Sequence, residues 1–174
     1  VYIHGGGFVI GSPKSYKAYV ASLCQLSQAS FAYIPDYRLA PEARFPAAID
    51  DVFAVWQEIS KQYQGYEIVL GGDSAGGNLA LALCVRARDE GVALPERVYL
   101  LSPWLDLTLT SPSHKKQDHR DPFLGTYFLK AQRISFAANL FLGVPNPLVS
   151  SLSERDAHIS KIGSSKTETL SPQQ

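Results

Sequence analysis

Methionine is absent from all 174 residues, position 1 included, so the sequence is expected to begin inside a longer reading frame. Cysteine is nearly as scarce. Cys24 and Cys84 both fall in helical patterns and read as buried free thiols, which leaves no basis for a disulfide framework or a thiolate metal site. No apolar run approaches the roughly 18 residues of a membrane span, and no basic-then-apolar leader opens the chain. Those two absences give a cytoplasmic expectation. Charge of one sign is also missing: sixteen Lys and Arg balance sixteen Asp and Glu, which points away from nucleic acid and from an anionic membrane as partners. What remains is a chain with 45% hydrophobic and 18% charged residues, enough for a buried core and of a length that suits one domain.

The most informative stretch runs from Glu67 to Ala80, E-I-V-L-G-G-D-S-A-G-G-N-L-A. A short apolar run, Ile68 to Leu70, reads as a buried strand. It breaks at a glycine pair, a serine sits at the turn, and an Ala/Leu-rich helical pattern follows at once. Gly72, Ser74 and Gly76 therefore form G-x-S-x-G in a strand–turn–helix setting, which holds a serine hydroxyl out at the top of a sheet with a helix N-terminus beneath it. Taken alone, Ser74 could equally be a helix N-cap among packing glycines.

A second element weighs against that plainer reading. The chain opens V-Y-I-H-G-G-G-F, a strand end running into Gly5, Gly6 and Gly7. Three consecutive glycines offer backbone N–H groups unshielded by side chains. They could form a flexible loop or a phosphate cradle, but no Gly-Lys-Ser/Thr follows, so a P-loop is unsupported. H-G-G-G upstream of G-x-S-x-G is the oxyanion-hole and nucleophile pairing of lipases and esterases.

Five blocks in order carry a family resemblance: His4–Phe8 with Gly11 and Ser12; Asp36–Glu42, D-Y-R-L-A-P-E; Phe45–Ala48 with Asp51; Gly72–Ala80; and Leu101–Trp104 with Asp106–Thr108. A fainter echo is N-P-L-V-S at Asn146–Ser150. The chain resembles the hormone-sensitive-lipase-like branch of the α/β-hydrolases, the bacterial family IV esterases. The resemblance implies an α/β class fold, a mostly parallel sheet flanked by helices, here incomplete. It also implies a serine hydrolase that cleaves carboxylic esters of small molecules, with short acyl chains, and that uses no metal or organic cofactor. Ser74 would be the nucleophile. The N–H groups of Gly6 and Gly7, together with that of Ala75, would bind the oxyanion.

Along the chain, helices are expected over about 15–28, 45–62, 75–90 and 122–142, the second with an apolar stripe of Ile49, Phe53, Trp56 and Ile59. Strands are expected at 30–35, 68–70 and 97–101, besides the opening one. Gly91 reads as a helix stop. Arg38 and Glu42 read as loop braces for Asp36 or Asp51. Residues 1–158 would form a partial hydrolase domain, with about 111–142 as a lid or pocket wall carrying Phe128, Ile134, Phe136 and Leu140. Residues 159–174, rich in Ser, Thr, Lys and Gln, read as a disordered tail.

The family's triad acid and histidine follow the Asn-Pro-Leu block, and no such acid loop or terminal histidine loop is found in this chain. Order alone permits Ser74, Asp121 and His158, but Asp121 before Pro122 is better read as a helix cap. Three readings stay open at this point: a piece of a serine carboxylesterase, a ligand-binding relative that has lost catalysis, and an inactive truncated product. A sheet made only of these strands would leave both edges unpaired and prone to aggregation.

Overall fold

The computed structural model describes residues 1–117, 120–121 and 132–143, all within one compact unit, Val1–Val144. In chain order the elements are β1 (Tyr2–Ile3), α1 (Pro13–Ser27), α2 (Ala47–Gln62), β2 (Val69–Asp73), α3 (Ser74–Glu90), β3 (Arg97–Leu101), α4 (Pro112–Gln117) and α5 (Gln132–Leu142). The three strands form a parallel sheet in the order β1-β2-β3. Parallel neighbours need long crossovers, and helices supply them between β1 and β2 and between β2 and β3.

Local chemistry explains most of the boundaries. Ser12 caps α1 and exchanges hydrogen bonds with Ser15 in a reciprocal box, so the helix starts at Pro13 rather than at Ser15. Pro46 stands at the N-cap of α2, which begins at Ala47. Gly91, at φ 69°, ends α3 in the left-handed conformation. β2 runs past Leu70 through Gly71 and Gly72 to Asp73, paired residue for residue with β3 from Val69↔Arg97 to Asp73↔Leu101.

One expectation is corrected. Residues 30–35 form no strand: the segment contributes one backbone hydrogen bond to the sheet, Tyr2 N–H to the Tyr33 carbonyl at 2.8 Å. β1 is two residues long, which is too short to template a ladder on that side. In α5 the inward positions are Ala137, Ala138 and Phe141, whereas Phe136 is exposed. Phe128 lies outside the described residues, as does the side chain of Ile134.

The core lies between the sheet and the helices α2 and α3. Ile49, Val52, Phe53, Trp56 and Ile59 of α2 are buried, as are Ala75, Leu79, Ala80, Leu83 and Ala87 of α3. Trp56 is fully enclosed, and its indole N–H donates to the Ala93 carbonyl at 2.8 Å, tying α2 to the α3–β3 connection. On the far side of the sheet, nothing among the described residues pairs with the outer edge of β3, where Val98, Tyr99 and Leu101 are exposed. Cys24 and Cys84 are free and half-buried, and partial burial pushes the Cys84 thiol pKa up. No helix among the described residues is long and apolar enough to cross a membrane.

Candidate active site

β2 delivers the chain to Ser74, which takes φ 51° at the first position of α3. A non-glycine residue in this region costs about 1–2 kcal/mol and persists only where its surroundings enforce it. The enforcement is visible. A Cβ on Gly72 would lie 2.5 Å from the Gly76 carbonyl oxygen, and one on Gly76 would lie 2.1 Å from the Ile3 oxygen and 2.5 Å from that of His4. Strand, turn and helix therefore touch backbone to backbone. The connection after β3 closes the other side: Trp104 N–H donates to the Ser74 carbonyl at 2.9 Å, and the Asn78 amide donates to the Trp104 carbonyl at 2.9 Å. Ser74 itself is half-buried, and Ala75 places its N–H in the first turn of α3, where backbone donors have no partner within the helix.

The pairing Ile3↔Gly72 sets His4 across from Asp73, so the glycine loop leaves β1 beside the serine turn. Gly6 and Gly7 have φ of 115° and 62°, followed by Phe8 at 64°. The Gly6 carbonyl accepts from Val9 N–H at 3.1 Å and Ile10 N–H at 3.0 Å, which closes the loop on itself. The three glycine N–H groups differ in their use. That of Gly5 is bound, to an Asp73 carboxylate oxygen at 3.0 Å and to the Tyr16 hydroxyl at 3.2 Å. Those of Gly6 and Gly7 have no partner among the described residues.

Behind the loop lies a polar and aromatic support that sequence patterns do not single out. Asp73 also accepts from the Tyr2 hydroxyl at 3.0 Å and the Tyr16 hydroxyl at 2.9 Å. Burial, and then the hydrogen bond to Asp73, push the Tyr16 phenol up to about 12, and burial first of all raises those of Tyr2 and Tyr37. These phenols stay protonated and donate. His4 is wholly buried, its ring stacked on Tyr37 at 4.3 Å. Its Nδ1 lies 2.7 Å from the Gly5 carbonyl, a contact that needs the proton on Nδ1, while Nε2 has no hydrogen-bond partner among the described residues. Phe8 stacks on Phe141 of α5 at 3.9 Å, with Trp104 at 5.8 Å.

Of the other sequence candidates, Arg38 grips Asp51 with two guanidinium nitrogens at 2.8–3.1 Å, a brace at the base of the loop. Asp121 is placed just after α4, its N–H donating to the Gln117 carbonyl at 3.1 Å. His158 lies outside the described residues. Among the described residues no cluster of His, Cys, Asp and Glu is arranged to hold a metal.

A serine on a strained strand–helix turn, a glycine loop beside it whose Gly6 and Gly7 N–H groups are unbound among the described residues, and a parallel sheet under both define an α/β-hydrolase. Residues 1–164 match the alpha/beta hydrolase fold family, and the chain belongs to it, in the hormone-sensitive-lipase-like branch. An esterase of Acinetobacter venetianus is 40% identical over 131 residues, which is 75% of this chain and 43% of that protein. The hormone-sensitive lipase of Bos taurus is 41% identical over 119 residues, 65% of this chain and 16% of the lipase. Among solved structures, the hormone-sensitive-lipase homologue EstE7 from a metagenome library superposes with a TM-score of 0.75 at 35% identity, covering 87% of this chain and 51% of its own. EstE5 solved with PMSF gives 0.73 at 38% identity, covering 82% and 46%. The chain spans under half the length of the curated bacterial relatives it matches.

Proposed function

We propose that the protein of which these residues form a part is a carboxylesterase acting on short acyl esters through an acyl-enzyme on Ser74. The observation that carries the reading is Ser74 held at φ 51° beside a loop whose Gly6 and Gly7 N–H groups have no partner among the described residues. The Ser74 hydroxyl attacks the ester carbonyl, and the alcohol leaves as the acyl-enzyme forms. Charge that develops on the carbonyl oxygen is met by the N–H groups of Gly6, Gly7 and Ala75, which need not reorganise at the moment of attack. The histidine that takes the serine proton, and the carboxylate that orients it, come from a segment outside the described residues. α5 contributes a wall beside the loop, through Phe141 against Phe8 and Ala137 against Gly7.

Short acyl chains are supported by the name of a relative, an acetyl-hydrolase of Streptomyces hygroscopicus that is 35% identical over 131 residues. EstE5 has been soaked with p-nitrophenyl butyrate, which suggests the assay. In the full-length protein, Ser74→Ala is expected to lower kcat for p-nitrophenyl butyrate by about 10³-fold or more. Undiminished turnover by the folded variant would remove Ser74 from the chemistry and this reading with it.

A further inference from the structure

The carboxylate of Asp73 touches the glycine loop, β1 and α1 at once, and it belongs to the residue immediately before the serine. One oxygen accepts the Gly5 N–H at 3.0 Å and the Tyr2 hydroxyl at 3.0 Å, and the other accepts the Tyr16 hydroxyl at 2.9 Å. Contact with the loop is close: a Cβ added to Gly5 would lie 2.2 Å from the carboxylate. We propose that Asp73 is a positioning residue for the oxyanion loop, fixing the two free donors relative to the Ser74 hydroxyl by binding the N–H of the glycine that precedes them. The proposal rests on the esterase reading above.

The physical need is specific. Gly6 and Gly7 sit at positive φ and have no side chains to anchor them; the Gly6 carbonyl closes the loop on Val9 and Ile10, and the Gly5 N–H ties the loop to the residue before the serine. Gly5 and Asp73 are 68 residues apart in sequence, and the carboxylate makes their separation a hydrogen-bond length. Hydrogen bonds to an ionised acceptor are shorter and stronger than neutral ones. A donor pair used in a transition state is effective only if its geometry exists beforehand. Tyr16 gives the anchor a second contact, since its hydroxyl oxygen also lies 3.2 Å from the Gly5 N–H.

Substitutions separate position from charge. Asp73→Asn keeps an acceptor oxygen for Gly5 and Tyr2 and turns its amide toward the Tyr16 oxygen, so the tie survives without the charge. Asp73→Glu keeps the charge but moves the carboxylate by one methylene off the Gly5 N–H. In the full-length enzyme with p-nitrophenyl butyrate, kcat is expected to fall less than about tenfold for the Asn variant. The Glu and Ala variants should fall about 10²-fold, the scale of one oxyanion donor, with KM within about threefold of wild type. Amide exchange over residues 4–9, measured in a Ser74→Ala background, should quicken for Asp73→Glu and Asp73→Ala and stay unchanged for Asp73→Asn. A Glu variant with wild-type kcat, a loss expressed in KM alone, or unchanged loop exchange in the Glu variant would each overturn the assignment. The exchange measurement stands apart from catalysis, so it decides whether Asp73 holds the loop even if Ser74→Ala keeps its activity and the esterase reading fails.

Discussion

The two glycine-rich segments use the same residue for opposite reasons. At the serine turn, Gly72, Gly76 and Gly77 have ordinary backbone angles, and what forbids a side chain is another piece of the protein: backbone for the first two, the Pro103 ring at 2.8 Å for the third. In the upstream loop, Gly7 has room for a methyl, whose nearest neighbour would be Ala137 at 3.5 Å, but its φ of 62° disfavours one. Gly6 combines both constraints, with φ 115° and the Ile10 oxygen 1.9 Å from an added Cβ. The first set of glycines lets elements pack, and the second leaves donors bare. Damage to the first should therefore appear as lost stability, and damage to the second as lost turnover.

The sharpest break in that contrast is Gly76→Ala. Its methyl would collide with two carbonyls of the β1 end, and a destabilisation of about 3 kcal/mol or more is expected. Urea unfolding of the full-length protein checks this, and a variant as stable as wild type would mean that β1 yields easily. Gly7→Ala should cost only about 1 kcal/mol of stability, the strain of an L-residue at positive φ. Its kcat for p-nitrophenyl butyrate should nevertheless drop up to about 10²-fold with little change in KM, because the donors bind charge present only in the transition state. A change confined to KM would make the loop a pocket wall and not an oxyanion site.

Ser74→Gly tests the strain at the turn itself. Turnover should vanish while stability rises by about 0.5–1 kcal/mol, strain relief exceeding the extra chain entropy of glycine. Thermal unfolding reads the difference, and a fall in Tm would show that the serine is not strained. The smallest effect belongs to the brace. The hydrogen bonds from Arg38 hold the Asp51 carboxyl below its ordinary value of 3.8. A carboxyl depressed in the folded state adds stability that is present above that ordinary value and is lost as pH falls through the folded one. Arg38 is exposed and Asp51 half-buried, so Arg38→Ala should cost about 1 kcal/mol at neutral pH and leave kcat unchanged. The gap between variant and wild type should narrow as pH falls below 3.8 and close once the folded carboxyl is protonated, as followed by urea midpoints.

The serine turn was legible because its chemistry is local: an apolar run, two glycines, a serine and a helical pattern occupy fourteen consecutive residues. The free donors were legible for the same reason. Asp73 was not, since its role depends on which strand lies alongside and on a tyrosine 57 residues away reaching the same carboxylate. Spacing carries no trace of such a meeting. The overcalled strand at 30–35 has the right aromatic and β-branched residues, Phe31, Tyr33 and Ile34, but pairing is decided by the neighbour and not by the segment. In α5 the position facing Gly7 is the small Ala137, while the large Phe141 packs on Phe8, a division of roles that the run of apolar residues does not show.

The bond from Trp104 N–H to the Ser74 carbonyl bears on whether this nucleophile could be transplanted. The pentapeptide from Gly72 to Gly76 does not contain its own shape. The angle at Ser74 is set by the β1 end pressing on Gly76, by Pro103 against Gly77, and by Trp104 bonded to Ser74 and Asn78. Grafted alone onto another parallel sheet, the five residues would relax into an unstrained turn and withdraw the hydroxyl. A working graft would need three segments moved as a unit: residues 3–8, 69–80 and 101–104.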